Sequence, residues 1–235
     1  MPYFFQENLS QDFFTLLSEE SKHITKSLRL KEGDHIWMTD GKGMLAKATL
    51  TNVFKDACVV KIVEQTFHSI AKTKKLHLAV APTKNPDRME WLVEKAVEIG
   101  VFQISFIICD RSERKNVDLN RLQRIAIAAL KQSQGVWLPK LQINSFSQFI
   151  HETNSLNANK LIAHCDHTEQ TVEIDQIKYQ YEDAIFLIGP EGDFTPKELL
   201  FAQENRFQPI SLGEKILRTE TAALFVACCF SAMKK

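Results

Sequence analysis

The stretch that decides the fold runs from Ala184 to Ala222 and reads AIFLIGPEGDFTPKELLFAQENRFQPISLGEKILRTETA. Its first five residues are apolar, which is typical of a strand buried on both faces, and the turn Gly189–Gly192 (GPEG) follows them directly. After this turn, Thr195, Pro196 and Glu198 match a helix start, with a hydroxyl cap, a proline at the first helical position and a capping-box carboxylate. The pattern therefore predicts a strand, a glycine turn and a helix in succession.

A second loop of the same design ends this stretch. Pro209–Leu212 reads as a short strand, Gly213 follows it, and Lys215–Thr221 (KILRTET) leads into an apolar helix at Ala222–Met233. Two interpretations are open for each loop: the glycines only turn the chain, or they let a ligand approach the backbone amides at the carboxyl end of a parallel strand. Two such loops around one helix favour a ligand site.

The composition bears on the compartment and the partners. The 235 residues include 29 Lys and Arg and 29 Asp and Glu, so any nucleic-acid contact has to come from local basic clusters. The five cysteines form no C-x-x-C pair, and we expect them, including Cys228 and Cys229, to be reduced core residues. Without a basic leader or an apolar run long enough to span a bilayer, we predict a soluble cytoplasmic protein.

The segment Met1–Ile70 has a β-like pattern, apart from a predicted helix at Ser18–Leu28. Ile36–Leu50 reads as a hairpin around a glycine-rich turn, and Ala57–Val63 reads as a further strand. Short strands this close together favour a small barrel over an open sheet.

A domain boundary is predicted at the polar, basic run Ser69–Lys75, which gives domains at residues 1–71 and 72–235. Strands and helices alternate in the second domain, so we predict an α/β domain with a mostly parallel sheet covered by helices. No G-x-G-x-x-G follows a strand and no G-x-x-x-x-G-K-[ST] occurs, which disfavours a nicotinamide dehydrogenase or an NTPase. The remaining predicted elements are strands at Leu76–Ala81, Ile104–Cys109, Leu141–Ile143 and Leu161–His164, a helix capped by Asp87 and Glu90 that runs up to Gly100, and a helix at Leu119–Gln134 that Pro139 stops.

Two polar clusters and the last helix leave alternatives open. His164–His167 (HCDH) has metal-ligand residue types, but neighbouring strand residues point to opposite faces, so zinc is disfavoured and no metal is expected. Asp110–Lys115 (DRSERK) is either a solvated turn or, with Arg121 and Arg124, a contact to RNA backbone. The last helix is apolar nearly all round, so it is either a central core helix or a subunit interface.

The motifs together resemble a known family. GPEG followed by a helix and then by LGxxILRTETA resembles the 16S ribosomal RNA uridine N3-methyltransferases of the RsmE type, in the knotted SPOUT superfamily. The likeness spans nearly the whole chain, through Lys84, Lys95–Val101 (KAVEIGV), Asp110–Arg114 (DRSER) and the KQS…LP segment at Lys131–Pro139. The chain departs from the family pattern at Lys131, at Gly135 and at Asp193, which stands where the family usually has a second glycine.

This resemblance implies a PUA-like RNA-binding barrel, followed by a SPOUT α/β domain with a deep C-terminal trefoil knot. It implies S-adenosylmethionine as methyl donor, 16S ribosomal RNA of the 30S subunit as partner, and a homodimer; we expect neither DNA nor a membrane as partner. The implied cofactor residues are Leu187, Gly189, Glu191, Gly192, Leu212, Gly213, Leu217, Arg218 and Thr219. The RNA-binding candidates are Arg29, Lys84, Arg111, Arg114 and Arg124.

Methylation at uridine N3 requires that the imide lose its proton, because the nitrogen lone pair is otherwise delocalised into the carbonyls. We expect Arg218 to stabilise the developing oxyanion, and Glu220 or Glu191 to accept the proton. The alternative for Arg218 is a salt bridge to Glu220 or Glu214. Two other functions stay open: a knotted methyltransferase acting on transfer RNA, and an RNA-binding assembly factor without catalysis.

Overall fold

The computed structural model describes residues 1–70, 74–165 and 171–233. It divides into two compact units, one made of Met1–Lys72 and Ile127–Leu138, the other of Thr73–Ala126 and Pro139–Lys235. The predicted boundary run Ser69–Lys75 falls partly outside the described residues. Within the described ranges, no helix has the length and apolar character that crossing a membrane requires.

The first unit is built on a five-stranded sheet in which β1 pairs parallel with β3 and the other neighbours pair antiparallel. The predicted helix is present as a short α-helix that continues as a π-helical segment, His23–Leu28. The predicted hairpin is also present, and the Asp40 carboxylate accepts hydrogen bonds from the Lys42 and Met44 amides in its turn. The elements are β1 Tyr3–Phe5, β2 Phe13–Thr15, α1 Ser18–Lys22, β3 His35–Thr39, β4 Met44–Val53 and β5 Cys58–Phe67, in the sheet order β1-β3-β4-β5-β2.

A segment from the middle of the sequence completes this unit. The Leu138 amide donates to the Gly41 carbonyl at 2.9 Å, and the Trp137 indole donates to the His68 carbonyl at 3.0 Å. Gly43 has a φ of 99°, and a Cβ there would collide with the Trp137 ring and lie 2.8 Å from the His68 oxygen. The close approach of Trp137 to the hairpin therefore requires glycine at residue 43.

The second unit is a seven-stranded parallel sheet with helices, which confirms the predicted α/β class. Its elements are β6 Leu76–Val80, α2 Pro86–Ile99, β7 Gln103–Ile108, β8 Lys140–Ser145, α4 Phe146–Thr153, β9 Asn159–Ala163, β10 Val172–Glu173, β11 Ala184–Ile188, α5 Pro196–Glu204, β12 Gln208–Ser211 and α6 Thr219–Ala232. Helix α3, Leu119–Gln132, begins in this unit and ends in the first. The strand order is β10-β12-β9-β11-β6-β7-β8. The trefoil knot stays a prediction.

Strand β11 lies at the centre of this sheet, between β9 and β6. Its last residue, Ile188, is in register with Ala163 of β9 and Val80 of β6, so these three strands end side by side. All five β11 residues are buried, as expected for a central strand covered on both faces. The loops after these strands therefore emerge at one edge of the sheet.

The start of α2 and the end of α3 differ from the prediction. Helix α2 is capped by Asn85, whose side chain accepts a hydrogen bond from the Asp87 amide, so Asp87 is not the cap. Pro86 occupies the first turn, where its missing N–H costs nothing. Helix α3 ends before Pro139 because Gln134 adopts a φ of 58° and the Gly135 amide donates back to the Leu130 carbonyl.

Helices α4 and α6 also differ from what the sequence predicted. Helix α4 was not predicted; Ser145 caps it through a hydrogen bond from the Gln148 amide, and Phe146 and Phe149 are buried under it. Helix α6 begins at Thr219, three residues earlier than predicted. Its Cys228 is exposed, so the expectation that this cysteine lies in the core is wrong.

Candidate active site

The first glycine turn follows β11, and packing is tight at its first glycine. A Cβ at Gly189 would lie 3.1 Å from the Phe194 ring and 3.4 Å from the Asp193 Oδ1 atom. A Cβ at Gly192 would rest on the Arg111 side chain at 3.5 Å. The turn thus packs against Phe194 at its first glycine and against Arg111, from the loop after β7, at its second glycine.

Helix α5 follows this turn and begins with the predicted capping box. The Glu198 amide donates to the Thr195 hydroxyl at 3.2 Å, and the Glu198 carboxylate accepts from the Thr195 amide at 2.8 Å. The second oxygen of this buried carboxylate accepts from the Asp110 amide at 2.9 Å. The capping residue therefore also holds the start of the loop that follows β7.

The second glycine loop follows β12 and joins the first. Gly213 has a φ of 109°, a conformation that strongly favours glycine, and Arg218 is the residue that precedes α6. The Thr219 hydroxyl donates to the Gly189 carbonyl at 3.0 Å. One hydrogen bond thus ties the start of α6 to the first glycine turn.

The two loops enclose a cavity of about 260 Å³. Most of the predicted cofactor residues line it, namely Gly189, Glu191, Leu212, Gly213, Leu217, Arg218 and Thr219. Leu187 is not among the lining residues because its side chain is fully buried in β11, and Gly192 faces Arg111 instead. Further lining residues that were not among the predicted cofactor residues are Ala163, His164, Cys165, Ile188, Pro190, Asp193, Ser211, Glu214, Lys215, Ile216 and Ala222.

The loop after β9 forms one wall of this cavity through Ala163, His164 and Cys165. The rest of the HCDH segment, Asp166 and His167, lies outside the described residues. Within the described ranges, no group of three His, Cys, Asp or Glu side chains is arranged to hold a metal ion.

An arginine that the sequence analysis missed lies beside both candidate bases. The Arg88 guanidinium Nε is 3.6 Å from Glu220 Oε1, and its Nη1 is 4.0 Å from Glu191 Oε1. The Glu191 carboxylate also accepts a hydrogen bond from the Lys84 amide at 3.1 Å. Arg88, in the first turn of α2, is therefore within ion-pair distance of one carboxylate from each glycine loop.

The two carboxylates differ in burial. Glu191 lines the cavity, whereas the Glu220 side chain is 7% exposed in the first turn of α6. The Glu220 Oε2 atom is buried and has no hydrogen-bond partner in the described part of the chain. A buried carboxylate oxygen of this kind is costly unless a charge or a donor faces it, and Arg88 provides the nearby charge.

Arg218 precedes α6 with an extended backbone, and its side chain is exposed and lines the cavity. The carboxylate of Glu220 is within ion-pair distance of Arg88 instead. Among residues 1–70, 74–165 and 171–233, no carboxylate oxygen lies within 4.0 Å of the Arg218 guanidinium. The alternative of a salt bridge to Glu220 or Glu214 is thus not formed in the described chain.

Three of the five RNA-binding candidates have intramolecular partners. The Arg111 Nη1 atom donates to the Gly192 and Phe194 carbonyls at 2.8 and 3.2 Å. The Arg114 Nη1 atom donates to the Lys84 carbonyl at 3.1 Å, and the Lys84 ammonium pairs with Glu113. The other two candidates, Arg29 and Arg124, are exposed.

Cys109 directly follows β7 and lacks the properties of a nucleophile. Its side chain is 3% exposed, and burial raises the pKa of its thiol, as does the negative charge of Glu198. A reactive cysteine needs a lowered pKa and access to substrate. The candidate chemistry therefore lies with the carboxylates and with Arg218.

Comparison with known proteins identifies the family. A family model described as an RNA methyltransferase domain matches residues 71–231, and one described as an RNA methyltransferase PUA domain matches residues 16–63. The ribosomal RNA small subunit methyltransferase E of Buchnera aphidicola is 30% identical over 241 residues, which cover 98% of this chain and 92% of that protein.

Solved structures agree over nearly the whole chain. A probable rRNA-methyltransferase from Porphyromonas gingivalis matches with a TM-score of 0.89 and 36% identity, covering 97% of this chain and 96% of that one. A ribosomal RNA small subunit methyltransferase E from Neisseria gonorrhoeae, bound to S-adenosyl methionine, matches with a TM-score of 0.82 and 27% identity over 97% and 96% of the two chains. The chain therefore belongs to the RNA methyltransferase family with a PUA domain that includes the ribosomal RNA small subunit methyltransferases E, as the GPEG and LRTETA motifs predicted.

Proposed function

We propose that this protein transfers a methyl group from S-adenosylmethionine to N3 of a uridine in 16S ribosomal RNA of the small subunit, in the cytoplasm. The observation that carries the proposal is the cavity between the two glycine loops, in a chain whose fold matches a relative bound to S-adenosyl methionine.

The cavity has the properties that an adenosyl compound requires. Its volume of about 260 Å³ is close to the lower end of the range of ligand pockets, about 300–1,000 Å³. Ile188, Leu212 and Leu217 give it apolar walls, while the glycine loops expose backbone amides and carbonyls. We assign the base and ribose of the methyl donor to these groups; when bound, the donor supplies an electrophilic methyl group.

Arg218 is the proposed catalytic cation. The developing negative charge on a deprotonated uracil is spread over its carbonyl oxygens, and a planar guanidinium at the cavity mouth is suited to stabilise it. Arg218 has no carboxylate within ion-pair distance among the described residues, so its charge is available for this role.

The proton of the uridine imide goes to Glu191 or Glu220 in this proposal. Glu191 lines the cavity and is the more accessible of the two. Glu220 lies deeper, with one oxygen near Arg88 and the other without a hydrogen-bond partner in the described chain, so it has an acceptor site to offer. Arg88 orients both carboxylates.

We propose that the RNA backbone is bound by Arg29 of the PUA-like unit and by Lys84, Arg111, Arg114 and Arg124 of the methyltransferase unit. Arg29 and Arg124 are exposed, and the Lys84 side chain is 79% exposed although it pairs with Glu113. Arg111 uses Nη1 for two backbone carbonyls, which leaves its other guanidinium nitrogens as phosphate donors. Replacing these residues by Ala is expected to weaken RNA binding and reduce its salt dependence.

We also propose a homodimer. Helices α2 and α6 carry large exposed apolar side chains, with Trp91 47% and Phe225 39% exposed. Exposed aromatic residues of this kind are typical of protein interfaces. Light scattering of the purified protein is expected to give twice the chain mass, and Phe225→Glu to give the chain mass.

The proposed function is tested by calorimetry and methyl incorporation together. We expect wild-type protein to bind S-adenosylmethionine and to methylate 30S subunits or free 16S ribosomal RNA, with primer extension stopping at one uridine because N3 methylation blocks base pairing. Arg218→Ala should keep donor binding and lower transfer by at least about 10²-fold. Lys197→Ala, an exposed cation on α5, is the matched control.

Other outcomes of these assays would favour one of the alternative functions or refute the role of Arg218. Methylation of transfer RNA in place of 16S RNA would favour the transfer RNA enzyme. RNA binding without donor binding would favour the assembly factor. An active Arg218→Ala enzyme would refute the role of Arg218 while leaving the methyltransferase assignment intact.

A further inference from the structure

Asp193 is an unusual residue in the cavity wall. It follows Gly192, lines the cavity, and has a φ of 61°, in the left-handed region that residues other than glycine adopt at a cost. A carboxylate held in an unfavourable backbone conformation beside a binding cavity points to a role for its side chain.

Three hydrogen bonds fix this residue. Its Oδ2 atom accepts from the Cys165 amide at 2.9 Å, and its Oδ1 atom accepts from the Phe194 amide at 2.8 Å. Its own amide donates to the Pro190 carbonyl at 2.9 Å. The carboxylate therefore bridges the first glycine turn and the loop after β9, and it cannot rotate away from the wall without losing both side-chain bonds.

The Asp193 carboxylate forms no ion pair with the described residues, although the Arg111 guanidinium binds the Gly192 and Phe194 carbonyls on either side of this residue. Its partners are neutral backbone amides, and within the described ranges no Lys, Arg or His nitrogen lies within 4.0 Å of its carboxylate. Glu191, by contrast, has Arg88 at 4.0 Å. Asp193 thus contributes a fixed negative charge to the wall of the cavity.

We propose that Asp193 is a specificity-determining residue that makes the cavity prefer a cationic methyl donor over its neutral thioether product. This inference rests on the proposed function. In the transfer, a carbon–nitrogen bond forms to the uridine, the sulfur–carbon bond breaks, and its electron pair stays on sulfur, while the proton of the uridine nitrogen goes to the base. The sulfur is positively charged before this step and neutral after it.

The position of Asp193 in the cavity wall makes the effect measurable. The charge on sulfur is attracted by this carboxylate, and salt screens such an attraction only beyond about 8 Å at physiological ionic strength. The cations that line the same cavity, Lys215 and Arg218, are unchanged in an Asp193 variant, so a change in preference reports the charge of Asp193. At an intermediate effective dielectric this attraction corresponds to about a fivefold preference for the donor.

The test measures two dissociation constants by calorimetry, one for S-adenosylmethionine and one for S-adenosylhomocysteine. Asp193→Asn removes the charge but keeps an acceptor for the Cys165 amide, and asparagine tolerates a positive φ. Asp193→Gly removes both the charge and the backbone strain. We expect both variants to lower the preference for the donor about fivefold, and Glu182→Gln, an exposed carboxylate outside the cavity lining, to leave it unchanged.

The outcomes separate this inference from the proposed function. If wild-type protein binds both compounds and the preference is the same in both variants, Asp193 does not set it, although the methyltransferase assignment stands. If Asp193→Gly weakens both compounds equally and Asp193→Asn weakens neither, Asp193 only braces the loop and the inference is overturned. If wild-type protein binds neither compound, the proposed function and the inference both fail.

Discussion

The contact between Arg88 and Glu220 predicts a measurable coupling between α2 and α6. At a separation of 3.6 Å, the attraction of two unit charges is about 4–5 kcal/mol at an effective dielectric of 20, before desolvation is subtracted. Glu220 is 7% exposed and Arg88 is 32% exposed, so removal of the arginine strands a buried carboxylate, whereas removal of the carboxylate leaves an arginine that water can reach. We expect Arg88→Met to lower the free energy of unfolding by about 2–3 kcal/mol and Glu220→Gln by about 1 kcal/mol.

A double-mutant cycle in urea tests this reasoning. The double variant should lose about 2 kcal/mol, less than the sum of the single variants, which gives a coupling energy of about 1.5 kcal/mol. The pair Lys95 and Glu98 on the exposed side of α2 is the matched control, and its coupling should be much smaller. Additive effects of Arg88→Met and Glu220→Gln would refute the assignment of the ion pair.

Three further predictions concern glycines and a buried histidine. Gly189→Ala presses a methyl group onto Phe194 at 3.1 Å; it should cost about 1–3 kcal/mol of stability in urea and weaken donor binding in calorimetry. Burial lowers the pKa of His77 from 6.5 to about 3, so below pH 6.5 the unfolded chain binds a proton that the folded chain does not, and the free energy of unfolding falls. We expect a loss of about 2 kcal/mol at pH 5 relative to pH 8. This loss should be absent in His77→Gln. Gly43→Ala should lower the unfolding free energy by at least about 2 kcal/mol, and Trp137→Ala in the same chain should not restore it, because the positive φ remains; full rescue would contradict this.

The sequence predicted the elements whose signals are local. The apolar run of β11, the GPEG turn and the Thr195–Glu198 capping box all lie within a few residues of one another, and the structure has each of them as expected. The alternation of strands and helices likewise predicted the parallel sheet. The strand, the turn and the capping box depend on residues that are close in the sequence.

The remaining features depend on contacts that are distant in the sequence. Arg88 is more than a hundred residues from Glu191 and Glu220, so no spacing rule could pair them, although all lie at the edge of one sheet. Arg111 was predicted to bind RNA. Its hydrogen bonds to the Gly192 and Phe194 carbonyls form because the parallel sheet brings the loops after β7 and β11 together. The predicted end of α3 was wrong because the usual signal for a left-handed residue after a helix is glycine or asparagine. In this chain Gln134 has the left-handed conformation.

The composition of the first unit has a consequence for how the chain matures during translation. Because Ile127–Leu138 completes that unit, its hairpin lacks Trp137 and Leu138 until they leave the ribosome, long after the first strands have emerged. The usual order, in which the amino-terminal domain folds as soon as it is synthesised, is therefore delayed in this chain. A nascent chain arrested before residue 127 should remain protease-sensitive in its first strands, whereas one arrested well beyond Leu138 should protect them.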